Sequence, residues 1–278
     1  MSDGKLYHLA AFAQGDKGGN PAGVWVGDQL PPPEEMQRIA ADVGASETAF
    51  VAPASGERRT VRYYSPEIEV SFCGHATIAT GVVLGQEDGE GTYTLDTLVG
   101  PIEVTALGSG DNMEASLRSI DTKQESITDE SLQEALDCLG WSCDDLDESL
   151  PAVKAWAGAW HYVIAVTDKH LLDTLDYNFD RLKALMRREG LTTLQLIWRE
   201  REDLFHSRNP FPIGGVVEDP ATGAAAAAFG GYLRDAGLMD APASFVIRQG
   251  DVMGVPSVIR VNVPERGGIV VSGFARSL

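Results

Sequence analysis

Polar and apolar residues alternate in short runs through the first half of the chain, at residues 6–13, 23–26, 48–51, 60–64, 67–72, 92–107 and 113–117. A period of two predicts strands, here of a curved, largely antiparallel sheet. One segment breaks the pattern. Pro31, Pro32 and Pro33 lead into Glu34 and Glu35, then a stripe of Met36, Ile39, Ala40 and Val43, then Gly44. That is the signature of a helix with proline and acidic residues in its first turn and glycine at its end.

The polar stretch 118–126 separates this half from a second helix start at Thr128, followed by Leu132, Ala135, Leu136, Leu139 and a closing Gly140. Strand patterns recur at 161–166, 191–198, 204–207, 244–248 and 258–263, with a helix near 179–188. The run 268–274 has no partner close in sequence and is expected to return to the first half. The predicted domains are therefore 1–118, rejoined by about 267–278, and 119–266.

Two further helices have no polar face: the one after Gly74, running to Leu84, and the one after Gly223, ending near Gly237. A helix that is apolar or small all round is buried. Small side chains let strands approach closely, so each half is expected to be a sheet wrapped around one central helix. Both helices open in tight turns about 145 positions apart: Phe72-Cys73-Gly74-His75-Ala76-Thr77, and Glu218-Asp219-Pro220-Ala221-Thr222-Gly223 followed by five alanines. Unpaired N–H groups and about half a positive charge make a helix start a seat for an anion. With an ionisable residue at each mouth, the pair predicts a carboxylate-binding cleft with proton-transfer chemistry.

Composition narrows the choice of partner. The chain has 278 residues, 44% of them hydrophobic, and 22 basic against 41 acidic residues give a formal net charge of −19. A surface of that sign argues against nucleic acid or an anionic membrane as partner. The low-polarity stretch 221–233 is too short, and too rich in alanine and glycine, to span a bilayer. No secretory leader is evident, and Cys73, Cys138 and Cys143 suggest no disulfide framework, so a reduced cytoplasm is expected. His8, His161, His170 and His206 lack metal-type spacing, and no metal or cofactor is expected. Gly108-Ser109-Gly110 reads as a hairpin turn, and no glycine loop carries a nucleotide-binding signature.

Five segments then carry a resemblance: Gly19-Asn20-Pro21-Ala22-Gly23-Val24, Ser46-Glu47-Thr48-Ala49-Phe50, Cys73-Gly74-His75-Ala76-Thr77, Glu218-Asp219-Pro220-Ala221-Thr222-Gly223 and Gln249-Gly250. In this order and over nearly the whole chain, they resemble the PhzF-like phenazine-biosynthesis isomerase family of the diaminopimelate-epimerase-like superfamily. The resemblance implies an α+β fold of two pseudo-symmetric domains, each a rolled, largely antiparallel β-sheet around a central α-helix, with the active site in the cleft between them. It implies cofactor-independent proton shuttling on a small carboxylated metabolite, and frequently a homodimer. It assigns general acid/base work to Glu47, assisted by His75 and Asp219. Two positions depart from the family: Ala224 stands where serine is frequent, and Val255 where arginine is. The reaction type therefore carries over, and the phenazine precursor does not.

Each of these residues also has a plainer explanation. Glu47, at the start of a strand, would gain a raised pKa by desolvation in a closed cleft, or be held by backbone donors alone. His75 is either a neutral imidazole facing a substrate or a hydrogen-bonded core histidine. Asp219 suits a helix cap as well as a substrate contact. Asn20 either points its amide at the substrate or stabilises its turn. Ser46, Thr222 and the N–H groups of Gly74, Gly223 and Ala224 are candidate substrate contacts. Racemases of this superfamily use two facing cysteines. Cys73 has no second thiol in the 218–223 segment, so it reads as a small buried residue. The remaining alternatives are an idle small-ligand binder and an amino-acid racemase or epimerase.

Overall fold

In the computed structural model, which describes residues 3–54 and 58–278, the chain forms two units. One comprises Met1–Arg118 with Ser272–Leu278, the other Ser119–Val271. Residues 267–271, assigned from sequence to the returning segment, sit in the second unit.

In the first unit, β1 (Gly4–Ala11) and β2 (Asn20–Gly27) form an antiparallel hairpin. The helix α1 (Pro33–Val43) then carries the chain to β3 (Glu47–Pro53), parallel to β2 with Ala22 opposite Glu47. Gly44 ends α1 with φ +67°, its N–H donated to the Ala40 carbonyl, the left-handed stop that glycine makes inexpensive. The buried face of α1, Met36 and Ala40, packs on Trp25, Phe50 and Tyr64. Next come β4 (Arg58–Tyr64), the short β5 (Glu69–Val70), α2 (Gly74–Asp88), β6 (Gly91–Thr97), β7 (Gly100–Leu107) and β8 (Glu114–Arg118). β6 runs parallel to β4, and β7 pairs antiparallel with both β6 and β8.

The residues of α2 from His75 to Gly85 are all buried, and the helix packs against β1, β2, β3, β6, β7 and β8. Glycine makes this possible: a methyl group on Gly81 would stand 2.5 Å from Val104 Cγ2 and 2.8 Å from Ala115 Cβ. The C-terminal strand Val270–Ser277 joins this unit through Leu9↔Ser277, Ala10↔Arg276 and Ala11↔Ala275.

The second unit repeats the order. β9 (Lys123–Glu125) and α3 (Asp129–Leu139) precede a hairpin of β10 (Val153–Trp156) and β11 (Trp160–Val166). Two helices, α4 (Lys169–Asp173) and α5 (Phe179–Glu189), lead to β12 (Thr193–Arg201), parallel to β11. β13 (Leu204–Pro210), β14 (Glu218–Asp219), α6 (Gly223–Asp235), β15 (Ala243–Gln249) and β16 (Ser257–Val263) follow, with β15 parallel to β13. The alanine-rich α6 is buried from Ala225 to Leu233 and packs against β9, β10, β11, β12 and β16. On the opposite side of β11 and β12, Tyr162, Ile164, Leu194 and Leu196 meet Leu136, Leu182 and Leu185 of α3 and α5.

Three local expectations change. The run 92–107 is a hairpin, because Leu98 and Val99 stand exposed in a turn closed by Thr97 Oγ1 on the Gly100 carbonyl. Of 67–72 only Glu69 and Val70 are strand, since Ser65 Oγ accepts the N–H groups of Glu67 and Ile68 and bends the chain there. The polar stretch 118–126 contains β9, an exposed three-residue strand paired with β10. Among the described residues no helix is long and apolar enough to cross a membrane.

Candidate active site

The parallel step from β2 to β3 sets Glu47 at the first residue of its strand, and Asn20 lies two residues before its partner Ala22. The turn Phe72-Cys73-Gly74 brings the start of α2 to the same place. Glu47 Oε2 is 3.4 Å from His75 Nε2 and accepts from Cys73 Sγ at 3.5 Å. Cys73 Sγ is also 3.4 Å from His75 Nδ1, and Ser46 Oγ is 3.2 Å from Nε2. Four groups able to give or take a proton thus meet within hydrogen-bonding reach. Glu47 keeps 21% of its side chain accessible while His75 keeps 9%, so of these two the carboxylate is the one that can meet a solute, beside the exposed Ser46.

Below this cluster the helix start is braced. Thr77 Oγ1 donates to the Cys73 carbonyl at 2.7 Å, and Tyr63 Oη stands 2.7 Å from Thr77 Oγ1. Burial pushes the Tyr63 phenol well above its ordinary pKa, so it remains a neutral brace. Nothing lies within 4 Å of where a Cβ on Gly74 would be, so the first residue of α2 borders open space.

The second-unit candidates gather at the start of α6. Asp219 ends β14 opposite Asn209, and its Oδ2 accepts from Thr222 Oγ1 at 2.5 Å. The residue that fixes this turn is Gln249, to which the sequence reading gave a motif but no role. Its Nε2 donates to the Asp219 carbonyl (2.7 Å) and Thr222 Oγ1 (3.0 Å), while its Oε1 accepts from Thr222 N (3.2 Å) and Ser207 Oγ (3.3 Å). With the amide N–H on its oxygen, the Thr222 hydroxyl directs its own proton to the Asp219 carboxylate. Gly250 follows with φ +78°, where a Cβ would stand 2.9 Å from the Pro220 carbonyl. Gln249 is legible as chemistry only once β15 is known to run beside β13. Gly223 is buried and Ala224 half-buried in the first turn of α6.

Next to this turn Arg208 grips Glu218 with Nε at 3.1 Å from both carboxylate oxygens and Nη2 at 2.5 Å from Oε2. Its Nη1 donates to the Leu172 and Leu175 carbonyls, so this guanidinium is engaged in holding β14. The structure thus groups Ser46, Glu47, Gly74 and His75 in the first unit, and Asp219, Thr222, Gly223 and Ala224 in the second.

The chain thus has two α+β units of like topology, each threaded by a buried small-residue helix, in a diaminopimelate-epimerase-like fold, with a carboxylate–imidazole–thiol cluster at one helix start. Comparison with known proteins agrees. Residues 9–275 match the family described as phenazine biosynthesis-like protein, PhzC-PhzF. An uncharacterized isomerase of Deinococcus radiodurans is 33% identical over 93% of this chain and 86% of its own. The crystal structure of the Bacillus anthracis phenazine biosynthesis protein of the PhzF family superposes with TM-score 0.85 at 25% identity, covering 98% of this chain and 96% of that one. A hydroxyproline epimerase from Agrobacterium vitis shares the fold at TM-score 0.64 and 13% identity, over 99% and 89% of the two chains. The chain belongs to the phenazine biosynthesis-like PhzC-PhzF family, and it is an isomerase.

Proposed function

We propose that this isomerase acts on a small carboxylated metabolite without a cofactor, with Glu47 taking a proton from one carbon and returning it to another. The observation that carries the reading is the position of Glu47 Oε2, at the mouth of α2 and within 3.5 Å of both His75 and Cys73. A carboxylate that exchanges protons needs neighbours able to accept or donate in turn, and such positioned acid/base work contributes about 10²–10⁴-fold. His75 orients the carboxylate and, with Ser46, supplies hydrogen bonds to substrate. The N–H groups after Cys73 favour the negative charge that develops as the C–H bond breaks, in the manner of oxyanion donors worth about 10²–10³-fold. Thr222 and Gln249 hold Asp219 in one orientation at the start of α6. A symmetric two-thiol racemase is not supported, because the turn before α6 offers a carboxylate and a hydroxyl where a second cysteine would be needed.

The test follows deuterium. A panel of small hydroxy, keto and unsaturated acids is incubated with enzyme in deuterated water, and label at carbon is read by NMR. Glu47→Gln is expected to exchange at least about 100-fold more slowly than wild type, and equal rates would remove Glu47 from the mechanism. Gly74→Ala has room in the fold. It is expected to leave stability unchanged and raise KM, because the added methyl group faces the approach of the anion.

A further inference from the structure

Glu47, Cys73 and His75 also form a donor set, and among the described residues they bring one ligand atom each within 4.8 Å of one another. Zinc prefers thiolate sulfur, imidazole nitrogen and carboxylate oxygen in a tetrahedron, with Zn–S about 2.3 Å and Zn–N or Zn–O about 2.0–2.2 Å. Ligands at those radii stand roughly 3.3–3.6 Å apart. With Nε2 as the ligating nitrogen, nitrogen to oxygen is 3.4 Å, sulfur to oxygen 3.5 Å and sulfur to nitrogen 3.8 Å. Two of the three separations fall in that range and the third lies just outside it, so the three donors already stand close to the spacing that one small ion needs. Side-chain rotation alone has to aim the imidazole lone pair.

We propose that Glu47, Cys73 and His75 are a binding site for a thiophilic divalent cation, Zn²⁺ foremost, which replaces the protons these side chains share. Three of the ion's waters give way to the three donors, the others leave as it becomes tetrahedral, and one stays in the fourth position. The Cys73 thiol proton leaves to solvent, and nothing is oxidised or reduced. The 21% exposure of Glu47 gives the ion its way in. Softness selects among metals: a thiolate and an imidazole favour Zn²⁺ and Co²⁺, whereas Mg²⁺ requires oxygen ligands and is excluded. This also assigns Cys73 a use that proton transfer by Glu47 does not need. Resting on the proposed function, the consequence for turnover is inhibition, since a metal-bound Glu47 cannot carry a proton.

The test uses the metal alone. Purified chain is titrated with Co²⁺, then with Zn²⁺, at neutral pH, following the thiolate-to-cobalt charge-transfer band and the heat of binding. The expected result is one ion per chain, a sulfur-to-cobalt band displaced by Zn²⁺, and no response to Mg²⁺. Cys73→Ala should lose the band, and its affinity should fall by more than the 10–100-fold typical of losing an outer partner of a metal ligand. Cys143→Ser, at an exposed thiol, should behave as wild type. His75→Gln and Cys73→Ser provide second variants should Cys73→Ala fold poorly, and both should bind more weakly. A band that survives in Cys73→Ala, or a wild type that gives none, overturns the site. Zinc binding with unaltered isotope exchange in Glu47→Gln would leave the metal site standing and remove the catalytic assignment. Normal dependence of exchange on Glu47 without any zinc binding would do the reverse.

Discussion

At the start of α2 a thiol, an imidazole and a carboxylate meet, while at the start of α6 a carboxylate, a hydroxyl and a carboxamide do. Both turns follow a short strand, and in both a glutamate of that strand is gripped by an arginine of the neighbouring one: Arg62 with Glu69, and Arg208 with Glu218. The two brackets differ in depth. Arg62 and Glu69 keep 30% and 26% of their side chains accessible, whereas Arg208 and Glu218 keep 12% and 4%. The same topology thus sets a half-exposed ion pair beside one helix mouth and a buried one beside the other.

The largest expected contrast comes from cutting both brackets. Arg208→Met strands a buried carboxylate and should destabilise the protein by about 3–5 kcal/mol in chemical denaturation. Arg62→Met exposes its partner to water and should cost under about 1 kcal/mol. Equal losses would show that depth does not distinguish the two.

Histidine provides the next contrast. His161 is fully buried with Nδ1 2.8 Å from Thr193 Oγ1, and burial lowers its pKa from 6.5 to about 4. The folded chain therefore keeps it neutral while the unfolded chain protonates it below pH 6.5. Stability is present above pH 6.5 and is lost as pH falls toward 4, by about 3 kcal/mol at most. His161→Leu should flatten that part of the stability–pH curve. An unchanged acid slope would assign the loss elsewhere.

The smallest effect compares the two buried helices. An added methyl group on Gly81 meets Val104 and Ala115 under 3 Å, whereas on Gly230 it meets Ile269 and Val261 at 3.1 Å. Overpacking costs about 1–3 kcal/mol, and alanine returns up to about 1 kcal/mol of helix propensity. Gly81→Ala should therefore lose about 1 kcal/mol and Gly230→Ala close to none, as read from thermal melting.

Much of this was legible in the sequence, because burial imprints periodicity. Met36 and Ala40, Leu136 and Leu139, and the featureless runs after Gly74 and Gly223 mark their helices by pattern alone. Both helix mouths were likewise marked by their own turns. Hidden features were those that depend on pairing. Lys123–Glu125 is polar on every side and becomes a strand only because β10 offers it an edge. The contact between Glu47 and Cys73 spans 26 residues and follows no spacing rule, since it is made by the β2–β3 register and the entry of α2. Gln249 meets Ser207 through the parallel placement of β13 and β15, and from there reaches Asp219 and Thr222. Local pattern reports faces, and long-range register reports neighbours.

The returning strand Val270–Ser277 has a consequence for the order of events during synthesis. β1 receives Ala275, Arg276 and Ser277 from residues translated more than 260 positions later, while Ser119–Val271 is one uninterrupted stretch. On the ribosome, the later-encoded unit has all its strands in hand before the earlier one has its last. The earlier unit must wait with an open sheet margin along β1 until residues 275–277 are made, and chaperones would find their longest-lived target there.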